Sequence, residues 1–451
     1  MPILPIDAGR YGSDEIKRIF DEQKRLDYQL EFEASVAESQ SEIGIIPTGA
    51  AKEIAQKARS GKITVQRVKE LEAVSEHDTA AMVEAISELC NDTARPWIHY
   101  GLTSYDVVDT SISMQMRDSL SIIEPKIAKL AAMLADKATQ YRDMPAVGRT
   151  HGQHASIISF GLKFAVWASD HAGHLSRIRE MKGRVLVCKT LGVVGTGSLM
   201  GSRALEVQAL VAKKLNLYPI DAATQVVSRE RHAEFIFCLA LIASTLDKIA
   251  VEIRNLQRTE IGEVAEPFKE GQMGSSAVPV KRNPIKSERI SSLARILKGM
   301  LNVSLENIAL WHERDLSNSA NERFTIPMAV ILLDEMLNSM TKVLSGLKIY
   351  DKRIAENLEL TKGQIYAEFV LDALVKKGMP RFDAYRALQQ TAFGAEEKSI
   401  HFLDALSSDK EISSKLSREE LKAIFNPKNH LAASAQIIDS VTKMVKEVCR
   451  A

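Results

Sequence analysis

Residues 231–263 read RHAEFIFCLALIASTLDKIAVEIRNLQRTEIGE and contain no proline, and no glycine before Gly262. Five apolar residues of this stretch recur at steps of four, three, four and three positions: Ile242, Leu246, Ile249, Ile253 and Leu256. That spacing places them on one face of an α-helix with 3.6 residues per turn. The stretch therefore predicts one long helix that must bury a continuous apolar face.

Similar long helices are predicted on both sides of this stretch, over about residues 113–141, 156–187, 287–311 and 326–349. Long helices with wide apolar faces pack together as a bundle. Shorter helices separated by prolines and glycines precede and follow the bundle, and strand-like alternation is scarce. The predicted fold is all-α, with an N-terminal helical domain 1–109, a central bundle 110–350 and a C-terminal helical domain 351–451.

The composition excludes several classes of function. Among 451 residues, 59 Lys and Arg balance 58 Asp and Glu, so the formal charge is +1 and no global field attracts nucleic acid or an anionic membrane. The four cysteines are far apart and form no CxxC pair, which disfavours zinc and dithiol chemistry. No leader peptide and no membrane span is visible, so we predict a cytoplasmic protein without a metal or other cofactor.

The loop of residues 271–284, GQMGSSAVPVKRNP, separates two of the predicted long helices. Its glycines permit close approach to a ligand, and consecutive backbone N–H groups there could face an anion. Lys281 and Asn283 add a cation and an amide donor. A connector would not need this ordered mixture, so we interpret the loop as part of a site.

Two further loops contain histidines. Residues 148–154, GRTHGQH, hold His151 between glycine and hydroxyl residues, where an imidazole could transfer protons near neutral pH. Residues 95–104 hold His99, Thr103 and Ser104, a weaker signal taken alone. His171 and His174 have the spacing of metal ligands on a helix, but no HExxH pattern surrounds them, so we interpret them as structural.

Residues 274–284, GSSAVPVKRNP, resemble the signature of the fumarase/aspartase superfamily, whose members release fumarate from a succinyl group. Further segments resemble its adenylosuccinate lyase family: HYGLTS at 99–104, DVVDT at 106–110, GRTHGQH at 148–154, SRERHAE at 228–234 and WHERDLS at 311–317. The resemblance extends over most of the chain. It implies a lyase that forms AMP and fumarate from adenylosuccinate, and that also cleaves succinyl-aminoimidazole carboxamide ribotide.

The resemblance also implies residue roles. Ser275 would be the general base, His151 the general acid that Glu288 orients, and Lys281 and Asn283 would hold the carboxylate. The substrate-binding residues would be Arg10, Tyr11, Arg314, Ser319 and Arg323 for phosphate and ribose, Thr103, Ser104 and Gln225 for carboxylate and base, with Arg289, His77, Asp78 and His99 in the same cleft. A weak carbon acid needs such fixed donors where its negative charge develops.

The resemblance implies a homotetramer whose central bundles form a common core and whose active sites are shared between subunits. Two alternatives stay open. Argininosuccinate lyase would keep Ser275, Lys281 and Asn283 but would lack the phosphate-binding arginines. An inactive homologue would lack part of the acid, base and carboxylate set, all of which are present here.

Overall fold

The structure is a computed structural model that describes residues 4–450. Eighteen α-helices lie in this range: α1 Asp14–Arg18, α2 Glu22–Glu42, α3 Thr48–Ala58, α4 Val65–Ser75, α5 Asp78–Leu89, α6 Ser104–Gln140, α7 Phe160–Val185, α8 Ala204–Lys214, α9 Glu230–Leu256, α10 Ile285–Glu306, α11 Ser319–Ser345, α12 Asp351–Glu359, α13 Ala367–Lys376, α14 Arg381–Glu397, α15 Phe402–Ser408, α16 Lys410–Ser413, α17 Arg418–Ile424 and α18 Ala432–Arg450. The predicted all-α class is confirmed.

The strands form three small two-stranded pairs in the described range. Their bounds are β1 Pro145–Thr150, β2 Gln153–Ser159, β3 Val187–Cys188, β4 Tyr218–Pro219, β5 Val264–Ala265 and β6 Lys348–Ile349. Pairs β1–β2 and β5–β6 are antiparallel, and β3–β4 is parallel. These pairs connect or flank the long helices and do not form a layer of their own.

Helix α9 confirms the periodicity argument. All five apolar residues of the predicted stripe are at most 3% exposed: Ile242, Leu246, Ile249, Ile253 and Leu256. Burying one such side chain contributes about 1.5–3 kcal/mol relative to leaving it in water. The period of the sequence therefore identifies the buried face of this helix.

The ends of the long helices differ from the prediction. Helix α6 begins at Ser104, well before the predicted start near residue 113, and helix α11 begins at Ser319 instead of residue 326. Pro327, which suits the first turn of a helix, lies inside α11. Tertiary packing extends both helices across positions that local signals suggest as boundaries.

The chain forms two compact units. Among the described residues, the first contains 4–127, 174–246 and 292–338, and the second contains 128–173, 247–291 and 339–450. The division into three helical domains at residues 109 and 350 stays a prediction.

In the first unit, a buried ion pair fixes the start of α6. Lys189 and Asp106 are paired and fully buried. The Asp106 carboxylate also accepts the backbone N–H groups of Thr103, at 2.8 Å, and Gly192, at 3.0 Å. One carboxylate therefore connects the loop before α6 to the loop after β3, which fixes the position of Thr103.

A second buried network lies farther along α6. Arg229 donates to both oxygens of Asp109, at 2.8 and 3.0 Å, and the two side chains have no exposed surface. Glu322 of α11 lies 3.1 Å from the same guanidinium and 3.3 Å from His232. Three helices are therefore joined through one arginine.

Removing one partner of this network should destabilise the fold strongly. We expect Asp109→Ala to lower the free energy of unfolding by about 3–5 kcal/mol, because Arg229 would stay buried with less compensation. Urea unfolding followed by circular dichroism measures this. The control is Asp143→Ala, which breaks an exposed pair with Arg142 and should change stability by less than about 1 kcal/mol. Equal effects of the two substitutions would contradict the argument.

In the second unit, the β1–β2 hairpin is packed beside α12 and the segment before α13. Val147 and Ile157 of the hairpin share an apolar cluster with Leu358, Ile365 and Tyr366. A separate apolar core joins α13 to α17, and Tyr366 stacks on Phe425 at 4.6 Å between ring centroids. The hairpin is therefore packed against a helical region that has an apolar core of its own.

Candidate active site

A cavity of about 450 Å³ lies in the first unit, and it contains three arginines. We call it the arginine cavity, after Arg25, Arg314 and Arg323. Six of the residues predicted for substrate binding line it: His77, Asp78, Ser104, Arg314, Ser319 and Arg323. They come from three separate parts of the chain, so the fold brings together what the sequence keeps apart.

Asp78 connects two of the arginines. Its carboxylate lies 3.2 Å from Arg323 and 3.7 Å from Arg25. Burial, and next the charge of Arg323, lower the pKa of the Arg25 guanidinium from its ordinary value. An anion bound between these arginines would relieve their repulsion, so this part of the cavity suits a phosphate.

Arg25 was not among the residues predicted for the site. It lies inside helix α2, with none of the glycines or clustered polar residues that distinguish a ligand-binding loop. Only its three-dimensional neighbours identify it. Gln29, one helical turn farther on, lines the same cavity and was missed for the same reason.

Arg314 is held by an aromatic ring and an amide. Its guanidinium carbon lies 3.5 Å from the centroid of the buried Tyr105 ring, a cation–π contact. It also donates to the side-chain oxygen of Gln225 at 2.7 Å. Gln225 does not itself line the cavity, and its contact with the substrate stays a prediction.

The predicted phosphate contacts Arg10 and Tyr11 are near each other but do not line the arginine cavity. The segment that carries them is fixed to α11: the backbone N–H groups of Gly12 and Ser13 donate to Glu335 and Asp334. Arg10 is exposed, and its role in substrate binding stays a prediction.

A second cavity, of about 550 Å³, adjoins the first and shares His77, Thr79 and Ser104 with it. We call it the histidine cavity, because His77 and His99 line it with the predicted residues Thr103 and Ser104. No arginine or lysine is among its lining residues in the part of the chain that the structure describes. Its donors are imidazoles and hydroxyl groups.

In the second unit, His151 lies at the tip of the β1–β2 hairpin. Thr150 pairs with Gln153, so His151 and Gly152 form a two-residue turn, and their φ angles are +53° and +76°. Such turns need positive φ at both central positions and twist in the direction of the strands. A histidine in this conformation is strained, and strain of this kind often marks a functional residue. The His151 side chain is exposed.

A buried ion pair supports the hairpin. Arg149 donates to Glu263 at 2.6 Å, and the Glu263 side chain has no exposed surface. Asn357 donates to the same carboxylate at 2.9 Å. Burial, and then the charge of Arg149, lower the pKa of the neighbouring His154, so that this imidazole favours the neutral form. Of the two histidines, only His151 is at the tip.

The loop of residues 271–284 folds back on itself. An added Cβ at Gly274 would overlap the carbonyl oxygen of Lys281, so only glycine fits there. The side-chain amide of Asn283 donates to the Gly274 carbonyl at 3.0 Å. The exposed Lys281 is thereby held close in space to the segment before Ser275.

Ser275 accepts two hydrogen bonds from its own loop. Its Oγ accepts the backbone N–H groups of Ala277, at 3.3 Å, and Val278, at 3.1 Å. Two donors directed at one oxygen favour its negatively charged form. The role of Ser275 as the general base stays a prediction.

Helix α10 follows this loop, and Glu266 caps it. The Glu266 carboxylate accepts hydrogen bonds from the backbone N–H of Ser287 at 2.7 Å and from the Ser287 hydroxyl at 2.6 Å. It also accepts the backbone N–H of Lys286 at 3.2 Å. Glu266 was not predicted. Glu288 is exposed in the first turn of α10, and no hydrogen bond joins it to His151 among residues 4–450. Its role in orienting His151, like the role of Arg289, stays a prediction.

Residues 4–450 hold no group of three or more His, Cys, Asp or Glu side chains arranged to hold a metal ion. None of the helices in this range is long and apolar enough for a membrane span.

Two family models match this chain. A lyase model matches residues 9–299, and a model of the C-terminal part of adenylosuccinate lyase matches residues 363–441. Adenylosuccinate lyase of Methanocaldococcus jannaschii is 43% identical over 99% of this chain and 96% of its own length. The chain belongs to the adenylosuccinate lyase family. The adenylosuccinate lyase of Pyrococcus abyssi is similarly related, at 41% identity over 100% of this chain and 99% of that protein.

Solved structures of other enzymes share the fold of this adenylosuccinate lyase family member. The fumarate lyase from Mesorhizobium sp. BNC1 has a TM-score of 0.89 at 30% identity, covering 98% of this chain and 100% of that one. The 3-carboxy-cis,cis-muconate lactonizing enzyme from Pseudomonas putida has a TM-score of 0.88 at 28% identity, covering 99% and 100%. One helical scaffold thus occurs in relatives whose names denote different reactions.

Proposed function

We propose that this enzyme eliminates fumarate from adenylosuccinate and forms AMP. The observation that carries the proposal is the arginine cavity, where Arg314 and Arg323 lie with His77, Asp78, Ser104 and Ser319. A nucleotide phosphate needs such a set, whereas argininosuccinate has no phosphate. The cavity therefore supports the nucleotide substrate over the argininosuccinate alternative.

In the proposed reaction, Ser275 removes a proton from the succinyl carbon beside a carboxylate. Lys281 and Asn283 stabilise the negative charge that develops on that carboxylate. The electron pair of the broken C–H bond forms the double bond of fumarate, and the C–N bond breaks. His151 gives a proton to the departing purine nitrogen. One proton is taken and one is given, so the elimination is balanced without an oxidant.

We further propose a homotetramer in which different subunits contribute to each active site. The reacting groups Ser275 and His151 lie in the second unit, and the arginine cavity lies in the first. Mixing two inactive variants, Ser275→Ala and Arg323→Ala, tests this sharing. Activity should return if subunits exchange, and mixtures that stay inactive after verified exchange would contradict shared sites.

The cytoplasmic location of the protein stays a prediction.

Turnover by the purified protein is the direct test. We expect stoichiometric release of AMP and fumarate from adenylosuccinate, followed by absorbance and by chromatography of the products. Succinyl-aminoimidazole carboxamide ribotide has the same phosphate and succinyl groups, so we expect turnover of this compound as well. Fumarate release from argininosuccinate, with none from adenylosuccinate, would reject the proposal.

A further inference from the structure

The histidine cavity has an unusual charge pattern for a site that would receive part of a polyanionic substrate. Among residues 4–450, its lining includes Glu84 but no arginine or lysine. The three arginines are all in the adjoining cavity. A phosphate bound to those arginines, with Lys281 and Asn283 at the carboxylate beside the reacting carbon, would leave the second succinyl carboxylate in need of another positive group. Among the described residues that line the histidine cavity, His77 and His99 could supply one.

His99 is attached to a buried carboxylate. Its Nδ1 lies 2.6 Å from an oxygen of Glu33, whose side chain is only 2% exposed, while 20% of the His99 side chain is exposed. A carboxylate at this distance fixes Nδ1 as the protonated nitrogen. Among residues 4–450, Nε2 of His99 has no hydrogen-bond partner, and His99 lines the cavity. One end of the ring is anchored, and the other is available to a ligand.

The backbone also directs this side chain. His99 has a φ angle of +57°, a conformation that a non-glycine residue adopts at an energetic cost. The next residue is held as well, because the Gln40 amide donates to the Tyr100 carbonyl at 2.7 Å. Both holding residues, Glu33 and Gln40, are on helix α2. Glu33 therefore holds the imidazole, and the conformation of the backbone beside it is held as well.

The charges around His99 favour its protonated form. Burial works to lower the pKa of His99, but the charge of Glu33 and its hydrogen bond outweigh burial, and Asp106 adds to them, so the pKa lies above its ordinary value. Glu33 comes from α2 and Asp106 from α6, while His77 and Glu84 share the cavity. The imidazolium therefore persists to higher pH than a free histidine.

We propose that Glu33 is a positioning residue for the reaction: it holds His99 so that Nε2–H donates to a substrate carboxylate in the histidine cavity. This inference rests on the proposed function, because that function supplies the succinyl group. The hydroxyls of Thr103 and Ser104 complete the carboxylate site. Glu33 itself touches no substrate and acts through His99.

Glu33→Gln tests the proposal, because glutamine keeps the shape and an acceptor but removes the charge. We expect KM for adenylosuccinate to rise about tenfold, the effect of losing one charge-assisted hydrogen bond, with kcat changed by less than about threefold. The inhibition constant of fumarate should rise similarly, and that of AMP should stay within about twofold. The alkaline decline of kcat/KM should begin at lower pH, because the His99 pKa falls.

Three variants serve as controls. Glu31→Gln changes a neighbouring glutamate of α2 that pairs with Arg59. It should leave KM, kcat and the inhibition constants of fumarate and AMP unchanged. Glu33→Asp keeps the charge and should restore much of the pH profile, which separates charge from packing. In the double variant Glu33→Gln/His99→Gln, KM should be no higher than with His99→Gln alone, because Glu33 acts through His99.

Several results would overturn the inference. An equal loss of kcat and kcat/KM at every pH, with unchanged fumarate inhibition, would indicate a structural role for Glu33. A selective rise in the inhibition constant of AMP would indicate that His99 binds a phosphate and not a carboxylate. If the wild-type enzyme released no fumarate, the proposed function would fail by itself. Calorimetric titration of fumarate into the AMP-saturated protein would then still test the inference. Weaker fumarate binding by Glu33→Gln than by wild type would support it, and equal binding would overturn it.

Discussion

Ser275→Ala should lower kcat by about 10³-fold, within the range that positioned acid–base groups contribute. The substitution removes the oxygen that would accept the succinyl proton. It leaves the backbone donors of Ala277 and Val278 on a partly exposed loop, where water replaces the lost partner. The melting temperature should therefore stay unchanged. Stopped or continuous assays of fumarate release measure the rate.

The neighbouring Ser276 provides a matched control. Ser276 is exposed in the same loop, and Ser276→Ala removes the same atom one residue away. Its kcat should stay within about twofold of wild type, as expected for a surface substitution away from the reacting atoms. A large loss with Ser276→Ala and a small one with Ser275→Ala would assign the base to the second serine. Calorimetry should show that Ser275→Ala still binds adenylosuccinate.

His151→Asn should lower kcat by about 10²–10⁴-fold, because no group would protonate the leaving nitrogen. Asparagine is chosen because it tolerates the positive φ angle of this turn, so the hairpin should keep its geometry. His151→Ala should lose as much activity, with a slightly larger effect on stability. Single-turnover assays separate the chemical step from binding.

The second histidine of the hairpin segment gives the comparison for this experiment. His154 lies on β2, next to the Arg149–Glu263 pair. His154→Gln should affect stability more than the chemical step, because that side chain is partly buried and is not at the turn. If His154→Gln abolished turnover and His151→Asn did not, the proton donor would have to be reassigned.

Part of the candidate site could be proposed from the sequence because loops differ chemically from helices. The loop of residues 271–284 combines glycine, hydroxyl, amide and cationic residues, and these types are needed to approach and stabilise an anion. The same reasoning identified the segment around His151. It did not predict that this segment is a hairpin with a strained turn, because apolar and polar residues do not alternate regularly along either strand.

Residues on helices were harder to find. Arg25 and Glu33 are both on α2, where a charged residue is ordinarily a solvated surface group. Nothing in their sequence neighbourhood distinguishes them from the exposed charges of the same helix. Glu266 was missed because its partners, Lys286 and Ser287, lie some twenty residues farther along the chain.

The sequence by itself determined the helical class and the buried face of α9, because a helix has a fixed period and apolar residues must leave water. It also determined the chemical character of the two candidate loops, residues 148–154 and 271–284. Only the tertiary structure decided which distant charges meet: Asp78 with Arg25 and Arg323, and Glu33 with His99. The physical reason is that electrostatic interactions depend on distance and burial in space, and neither is set by separation along the chain.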